Sequence, residues 1–266
     1  ANGEVNGKES GNLCAPIEQA HPGQFRQQDR EEATDDTGQF FIWPRRYSQQ
    51  IKKIVIHHTA KTLRDLNEDG QINATDYEMA VRAVYVFHTK SRGWGDVGYH
   101  YLVDPDGTVY EGRAGGESVV AAHVLCQNTG TVGVAVLGNF EEEQVPAAGF
   151  EGLLKITHYL TELYQLNPVA KSSFRGTVVP HIVTHAELGQ VTKGFIGRGG
   201  TQCPGQFLKR QMASLRQLVA QGGLRPDYQF EAMSSSIDRT LSPLELIQVP
   251  LTLTNTGQEE WQDIRV

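Results

Sequence analysis

No stretch of this 266-residue chain approaches the ~18–20 consecutive apolar residues of a membrane-spanning helix, so no membrane span is expected. A basic excess is missing too, with 24 Lys and Arg against 31 Asp and Glu for a net charge of −7. General nucleic-acid binders carry the opposite balance, which sets that class aside. Cysteine is scarce: Cys14, Cys126 and Cys203 are too few for a disulfide scaffold. They read either as three unrelated buried thiols or, in an exported protein, as one pair with a third kept for chemistry. The opening Ala1-Asn2-Gly3-Glu4 lacks the basic start and apolar core of a signal peptide, as expected of a mature exported protein or a trimmed chain. No internal repeat is visible. The remaining composition, 39% hydrophobic and 21% charged, is ordinary for a globular protein. The length allows one large domain plus something small, or two modest domains.

What is present centres on Ile54-Val55-Ile56-His57-His58-Thr59. A β-branched run ending abruptly in two histidines and a threonine predicts a buried strand with polar groups at its C-terminal end. That edge of an α/β sheet is where ligands usually sit. Successive strand residues point to opposite faces, so His57 and His58 cannot serve one site equally. A helix is expected after residue 76, with Tyr77, Ala80, Val81, Val84 and His88 at helical spacing. The glycine-rich segment 91–98 leads into a strand, Asp104-Pro105-Asp106-Gly107 turns, and residues 108–113 return as the hairpin partner. Further strands are expected at 119–123, 131–137 and 178–185, and helices at about 146–166 and 206–220. The glycines between residues 188 and 200 predict a long loop.

Residues 1–50 read as a polar, irregular but ordered arm, laid against the main domain through Phe40, Phe41, Ile42 and Trp43. The main domain is expected over 51–222, since Gly222-Gly223 and Pro226 mark a boundary. Residues 223–266 then read as the start of an Ig-like β-sandwich or another β-rich extension, with a strand over 247–254. So few strands are marginal alone, which predicts packing on the main domain.

An insertion at 65–76 places oxygen side chains in a calcium-loop pattern. Asp65, Asn67, Asp69, Asn73 and Asp76 stand at loop positions 1, 3, 5, 9 and 12, Gly70 at 6, and the Gln71 carbonyl at 7. The insertion resembles the loops of dockerin-type modules. A bound Ca2+ is expected, structural in role, with Ile72 anchoring the loop on the core; the alternative is a solvated acidic turn.

His57 and His185 each close an apolar run, and Cys203 precedes the last helix. Two imidazoles and a thiolate converging from such ends suit a catalytic zinc with a fourth position for water. A helix N-terminus would also favour the thiolate form of Cys203. Around these residues, segments 54–60, 92–103, 109–113, 131–140, 183–187 and 201–205 resemble, in order, the type 2 N-acetylmuramoyl-L-alanine amidase and peptidoglycan recognition protein (PGRP) family. The resemblance covers about 52–222.

It implies an α/β fold, a mixed central β-sheet flanked by helices, with the site in a cleft at one sheet edge. It further implies Zn2+ held by His57, His185 and Cys203, with Tyr99 as the catalytic tyrosine and Thr201 as a polar residue assisting the transition state. His58, His88 and His100 are expected to support the fold, and His123 to form a cleft wall. The implied activity is zinc-dependent cleavage of the amide between N-acetylmuramic acid and L-alanine; the alternative is a non-catalytic peptidoglycan-binding receptor. Peptidoglycan is the implied partner, the protein is expected to be monomeric, and the location extracellular or periplasmic, where a Cys14–Cys126 disulfide would persist. The stretch from His185 to Cys203 is longer than the family's usual connection, which puts one cleft wall outside the pattern.

Overall fold

The computed structural model describes residues 25–34, 40–116, 118–222, 230–234 and 251–255, with side chains over 46–116, 118–194 and 197–222. At its centre lies β3 (Lys53–His58), whose six residues are all buried. A strand with neighbours on both edges and layers on both faces needs an apolar centre such as Ile54-Val55-Ile56. It pairs in parallel with β6 (Thr131–Val136) on one side and β9 (Ile182–Thr184) on the other. Beyond β6, β4 (Tyr101–Val103) runs parallel and β5 (Val109–Glu111) antiparallel, giving the mixed order β5-β4-β6-β3-β9.

The two faces of β3 carry different layers. Ile54 and Ile56 pack with Leu153, Leu154 and Leu160 of α2 (Ala147–Leu163) and with Leu208, Met212 and Leu215 of α4 (Gln206–Ala220). Val55 packs on the opposite side with Val183, Phe174 and Leu188, the last from α3 (His185–Ile196). Alternation therefore sends His57 to the α3 side and His58 to the α2–α4 side. A third cluster seats α1 (Ala74–Val86) through Tyr77 against Val97, Leu102 and Leu137. A π-helical turn, Phe87–Ser91, follows α1 and holds His88.

The hairpin of β7 (Lys171–Phe174) and β8 (Thr177–Pro180) turns at Arg175 and Gly176, φ 52° and 78°, the double positive φ of a two-residue hairpin loop. Lys53, fully buried, ties it to the sheet by donating to Ser172 Oγ at 2.8 Å, Ser172 O at 3.2 Å and Val179 O at 2.9 Å. Ahead of the sheet, β1 (Phe25–Thr34) and β2 (Phe40–Ser48) form an antiparallel hairpin. The end of β2 joins the main domain where Tyr47 bridges Val119 and Val120 N donates to Arg46 O at 2.6 Å. A last pair, β10 (Phe230–Ser234) with β11 (Leu251–Asn255), is antiparallel. Among the described residues no helix is long and apolar enough to cross a membrane.

Several expectations are corrected. The described part of the arm is a hairpin rather than irregular chain. No strand forms over 119–123, because alternate N–H groups, which a strand would send to one neighbour, leave for different partners, Val120 for Arg46 and Ala122 for Gly98. The strand expected over 178–185 is broken into β8 and β9 between Pro180 and Ile182, and His185 opens a helix. That helix, α3, fills most of the expected loop and ends at Gly197, φ 69°, a left-handed C-cap. Side chains of the arm's apolar residues 40–43, and residues 256–266 of the extension, lie outside the described residues.

Candidate metal centre

Three elements meet at the C-terminal end of β3. His57 comes from β3 itself and is fully buried. His185 follows the neighbouring β9, at the point where α3 begins. The side chain of Thr184 accepts from Glu187 N at 3.1 Å, and Glu187 Oε2 accepts from Thr184 N at 2.7 Å. This capping box turns the chain out of the sheet and sets the imidazole on the first helical turn. Cys203 arrives just ahead of α4, held where Ala186 N donates to Cys203 O at 2.8 Å and Cys203 N donates to Thr201 Oγ1 at 3.1 Å.

The ligand atoms of His57, His185 and Cys203 all lie within 4.8 Å of one another. Cys203 Sγ is 3.7 Å from His57 Nδ1, and the two imidazole centroids are 4.7 Å apart. A tetrahedral zinc with ordinary Zn–N and Zn–S lengths separates such atoms by about 3.6 Å, so the donor set fits that ion. Burial first, then the neighbouring His185 and His123, pushes the His57 pKa well below its usual value. His185 is lowered to about 4, again by burial and then by His58. Both rings are thus neutral at neutral pH, as metal ligands must be. Burial pushes the Cys203 thiol up to about 12, so in the absence of a metal the sulfur keeps its proton.

Tyr99 stands beside this set, its ring centroid 5.1 Å from that of His57. Burial, then Cys203, raises its pKa, so the phenol keeps its proton. Tyr99 also lines a groove of about 690 Å³ whose walls include Thr59, Leu63, Val84, Leu137 and Asn139. Thr201 is partly buried next to Cys203.

His58, His88 and His100 support the fold as expected. Their Nδ1 atoms accept from Phe140 N at 3.1 Å, Gly98 N at 3.0 Å and Gly133 N at 3.0 Å respectively. His123 departs from expectation. It is no cleft wall but a buried residue behind His57, its Nδ1 2.9 Å from His57 Nε2. Nothing in its local sequence gave this away; the connection ahead of β6 carries His123 back over Thr131 and Gly133 of that strand, beside His57.

The 65–76 loop closes on itself. Asp65 accepts from Asp69 N at 3.2 Å and Gly70 N at 2.7 Å, and Asn67 Oδ1 accepts from Asp69 N at 3.2 Å. Asp69 accepts from Gln71 N at 2.9 Å and from the amide of Asn73 at 2.8 Å. Asp76 is fully buried as the third residue of α1 in a capping box, and it accepts from Asn67 N at 3.1 Å and Asn73 N at 2.9 Å. Among the described residues, three side chains of metal-ligating type converge only at His57, His185 and Cys203; Asp65, Asp69 and Asp76 do not. Ile72 is 49% exposed rather than anchored on the core. Cys126 is disulfide-bonded and Cys203 free, while Cys14 lies outside the described residues.

Comparisons with known proteins bear on the family. Peptidoglycan-recognition protein LE of Drosophila melanogaster is 38% identical over 93 residues, 35% of this chain and 24% of that protein. Peptidoglycan-recognition protein SC2 of Drosophila simulans is 30% identical over 156 residues, 57% of this chain and 66% of that one. The chain thus spans from about a quarter to about two thirds of the length of these relatives. Among solved structures, N-acetylmuramoyl-L-alanine amidase LysC from Clostridium intestinale URNW is 25% identical, with a TM-score of 0.44 over 62% of this chain and 84% of that one. The sequence model of the N-acetylmuramoyl-L-alanine amidase family matches residues 47–206, more than half of the chain, and the chain belongs to that family.

Proposed function

We propose that residues 51–222 form a zinc-dependent amidase that cleaves the bond between the lactyl group of N-acetylmuramic acid and the L-alanine of the stem peptide in peptidoglycan. The observation that carries this reading is the complete donor set of His57, His185 and Cys203 at zinc-like spacing, with Tyr99 against it. A zinc ion held by His57, His185 and Cys203 would supply Lewis-acid polarisation of the amide carbonyl and would lower the pKa of water at the fourth position. The chain's own residues do the rest. His57 and His185, neutral at this pH, offer lone pairs, and the Cys203 thiol gives up its proton when the metal is bound. Tyr99, held protonated by burial, donates to the oxygen that gains charge in the transition state, a contribution of about 2.7–4 kcal/mol for such a donor. Thr201 Oγ1 accepts from Cys203 N, which leaves its own proton available to the same oxygen.

A peptidoglycan receptor without catalysis is the second reading. It has no need of an intact three-ligand set, and the presence of all three favours the enzyme. The disulfide at Cys126 supports an extracellular or periplasmic site of action, with the protein acting as a monomer. Residues 1–50 and 223–266 are assigned as an arm and a β-rich extension. Separately, the 65–76 loop is proposed to take one Ca2+ through Asp65, Asn67, Asp69, the Gln71 carbonyl, Asn73 and Asp76, stabilising the start of α1 by mass action. The test of the main reading is digestion of purified cell walls with mass analysis of the products. Free stem peptides beginning at L-alanine are expected, and sugar fragments still carrying their peptides would overturn it.

A further inference from the structure

We propose that His123 is a positioning residue for the metal centre: backed by Thr131, it sets the ring tautomer of His57 so that Nδ1 stays open toward Cys203 and His185. The proposal rests on the zinc reading above for its consequence, though not for its geometry.

His123 is not a metal ligand. Its Nδ1 lies 2.9 Å from His57 Nε2, and its Nε2 lies 3.2 Å from Thr131 Oγ1. Distances between ring nitrogens leave the direction of the proton open, and the threonine decides it. Its hydroxyl has one proton, and the carbonyl oxygens of Asn128 at 2.8 Å and Gln127 at 3.1 Å can only accept. With that proton engaged, Thr131 Oγ1 presents a lone pair to His123, so Nε2 of His123 carries a proton and Nδ1 is an acceptor. His57 must then donate from Nε2, which leaves its Nδ1 bare, 3.7 Å from Cys203 Sγ. The reverse order would run a proton down the pair and place one on His57 Nδ1, the atom the metal needs.

The relay is held in place. His123 N donates to Asn128 Oδ1 at 2.9 Å, and the His100 ring stands edge-on at 5.5 Å. Gly133 leaves room for the imidazole, since a Cβ there would come within 2.6 Å of its Cγ and Nδ1. Metal-bound histidines whose second nitrogen loses its partner typically lose about 10–100-fold in metal affinity.

The test uses the full chain as wild type, His123→Leu, His123→Asn and Thr131→Val. Zinc affinity is read by competition with a chromophoric chelator, and the His57 tautomer by long-range proton–nitrogen NMR on 15N-histidine protein, with and without zinc. The expected spectrum has the proton on His57 Nε2. His123→Leu should bind zinc about 10–100-fold more weakly, whereas His123→Asn, whose oxygen takes the place of Nδ1, should recover most of the loss. Thr131→Val should weaken binding without unfolding the protein. A folded His123→Leu protein with wild-type zinc affinity, or a wild-type His57 protonated on Nδ1, overturns the proposal. Should His123→Leu fail to fold, the wild-type tautomer and the Asn and Val variants decide. Failure of the wild type to take up zinc would overturn the zinc reading instead, and the tautomer in metal-free protein would still decide this one.

Discussion

Gly133→Ala adds one methyl group to the middle of β6 and reaches the metal centre without touching a ligand. Its Cβ would stand 2.6 Å from Cγ and Nδ1 of His123 and 2.9 Å from Cδ2. Contacts of this kind relax at about 3.5–4.0 Å, so one side has to withdraw by about 1 Å. The strand is poorly placed to do so, being buried along its length and hydrogen-bonded to β3 on one edge and β4 on the other. The ring therefore moves, and the 2.9 Å contact between His123 and His57 stretches past the ~3.5 Å at which a hydrogen bond is lost. Overpacking costs about 1–3 kcal/mol. At 2–4 °C per kcal/mol for a domain of this size, the melting temperature falls by roughly 2–12 °C. Zinc affinity should fall about 10–100-fold as well. Calorimetry of metal-free protein and chelator competition measure the two effects separately. Gly194→Ala is the control: no atom lies within 4 Å of the added carbon in α3, so a gain of up to about 1 kcal/mol and unchanged zinc binding are expected. A Gly133→Ala protein with wild-type melting and wild-type zinc affinity would show that the His123 ring is not confined by β6.

Three further outcomes are expected. Tyr99→Phe should reduce amide cleavage about 10²–10³-fold while chelator competition shows zinc affinity unchanged, because in the proposed role the phenol meets the reacting oxygen and not the ion. Between pH 6 and 8 zinc affinity should rise about tenfold per pH unit. In that window His185, lowered to about 4, is already neutral, whereas the Cys203 thiol, pushed up to about 12, still holds the proton that zinc must displace. Calorimetry in buffers of different ionisation heat counts that single proton, and a flat profile would contradict the assignment. Finally, with zinc occupancy held constant, calcium should raise the melting temperature relative to a calcium-selective chelator; equal temperatures would leave residues 65–76 as an acidic turn.

Much of the centre was legible in the sequence because its signals are local. An apolar run that ends in His57 must be a buried strand, and the alternation of a strand allows only one of His57 and His58 to face Cys203. Here that is His57, with His58 turned toward Phe140 N. The helix at α3 was legible in principle, since Thr184 followed three residues later by Glu187 has the spacing of a capping box. The glycines that follow outweighed that cue, yet Gly189 sits inside the helix because the Gly199 carbonyl oxygen passes where its Cβ would stand. The role of His123 was not legible. It depends on a parallel register that sets His57 opposite Ala135 and brings Thr131 and Gly133 of β6 around the second imidazole, and such a register has no counterpart in local sequence.

If His57, His185 and Cys203 hold a zinc ion used for amide hydrolysis, metal and activity must be lost together. Zinc content and release of L-alanine-terminated peptides from purified peptidoglycan are measured on wild type and on Cys203→Ser. About one zinc per wild-type chain with peptide release is expected, and loss of both in Cys203→Ser with wall binding retained. A wild type that binds peptidoglycan but releases no peptide when loaded with zinc would contradict it and make the protein a receptor.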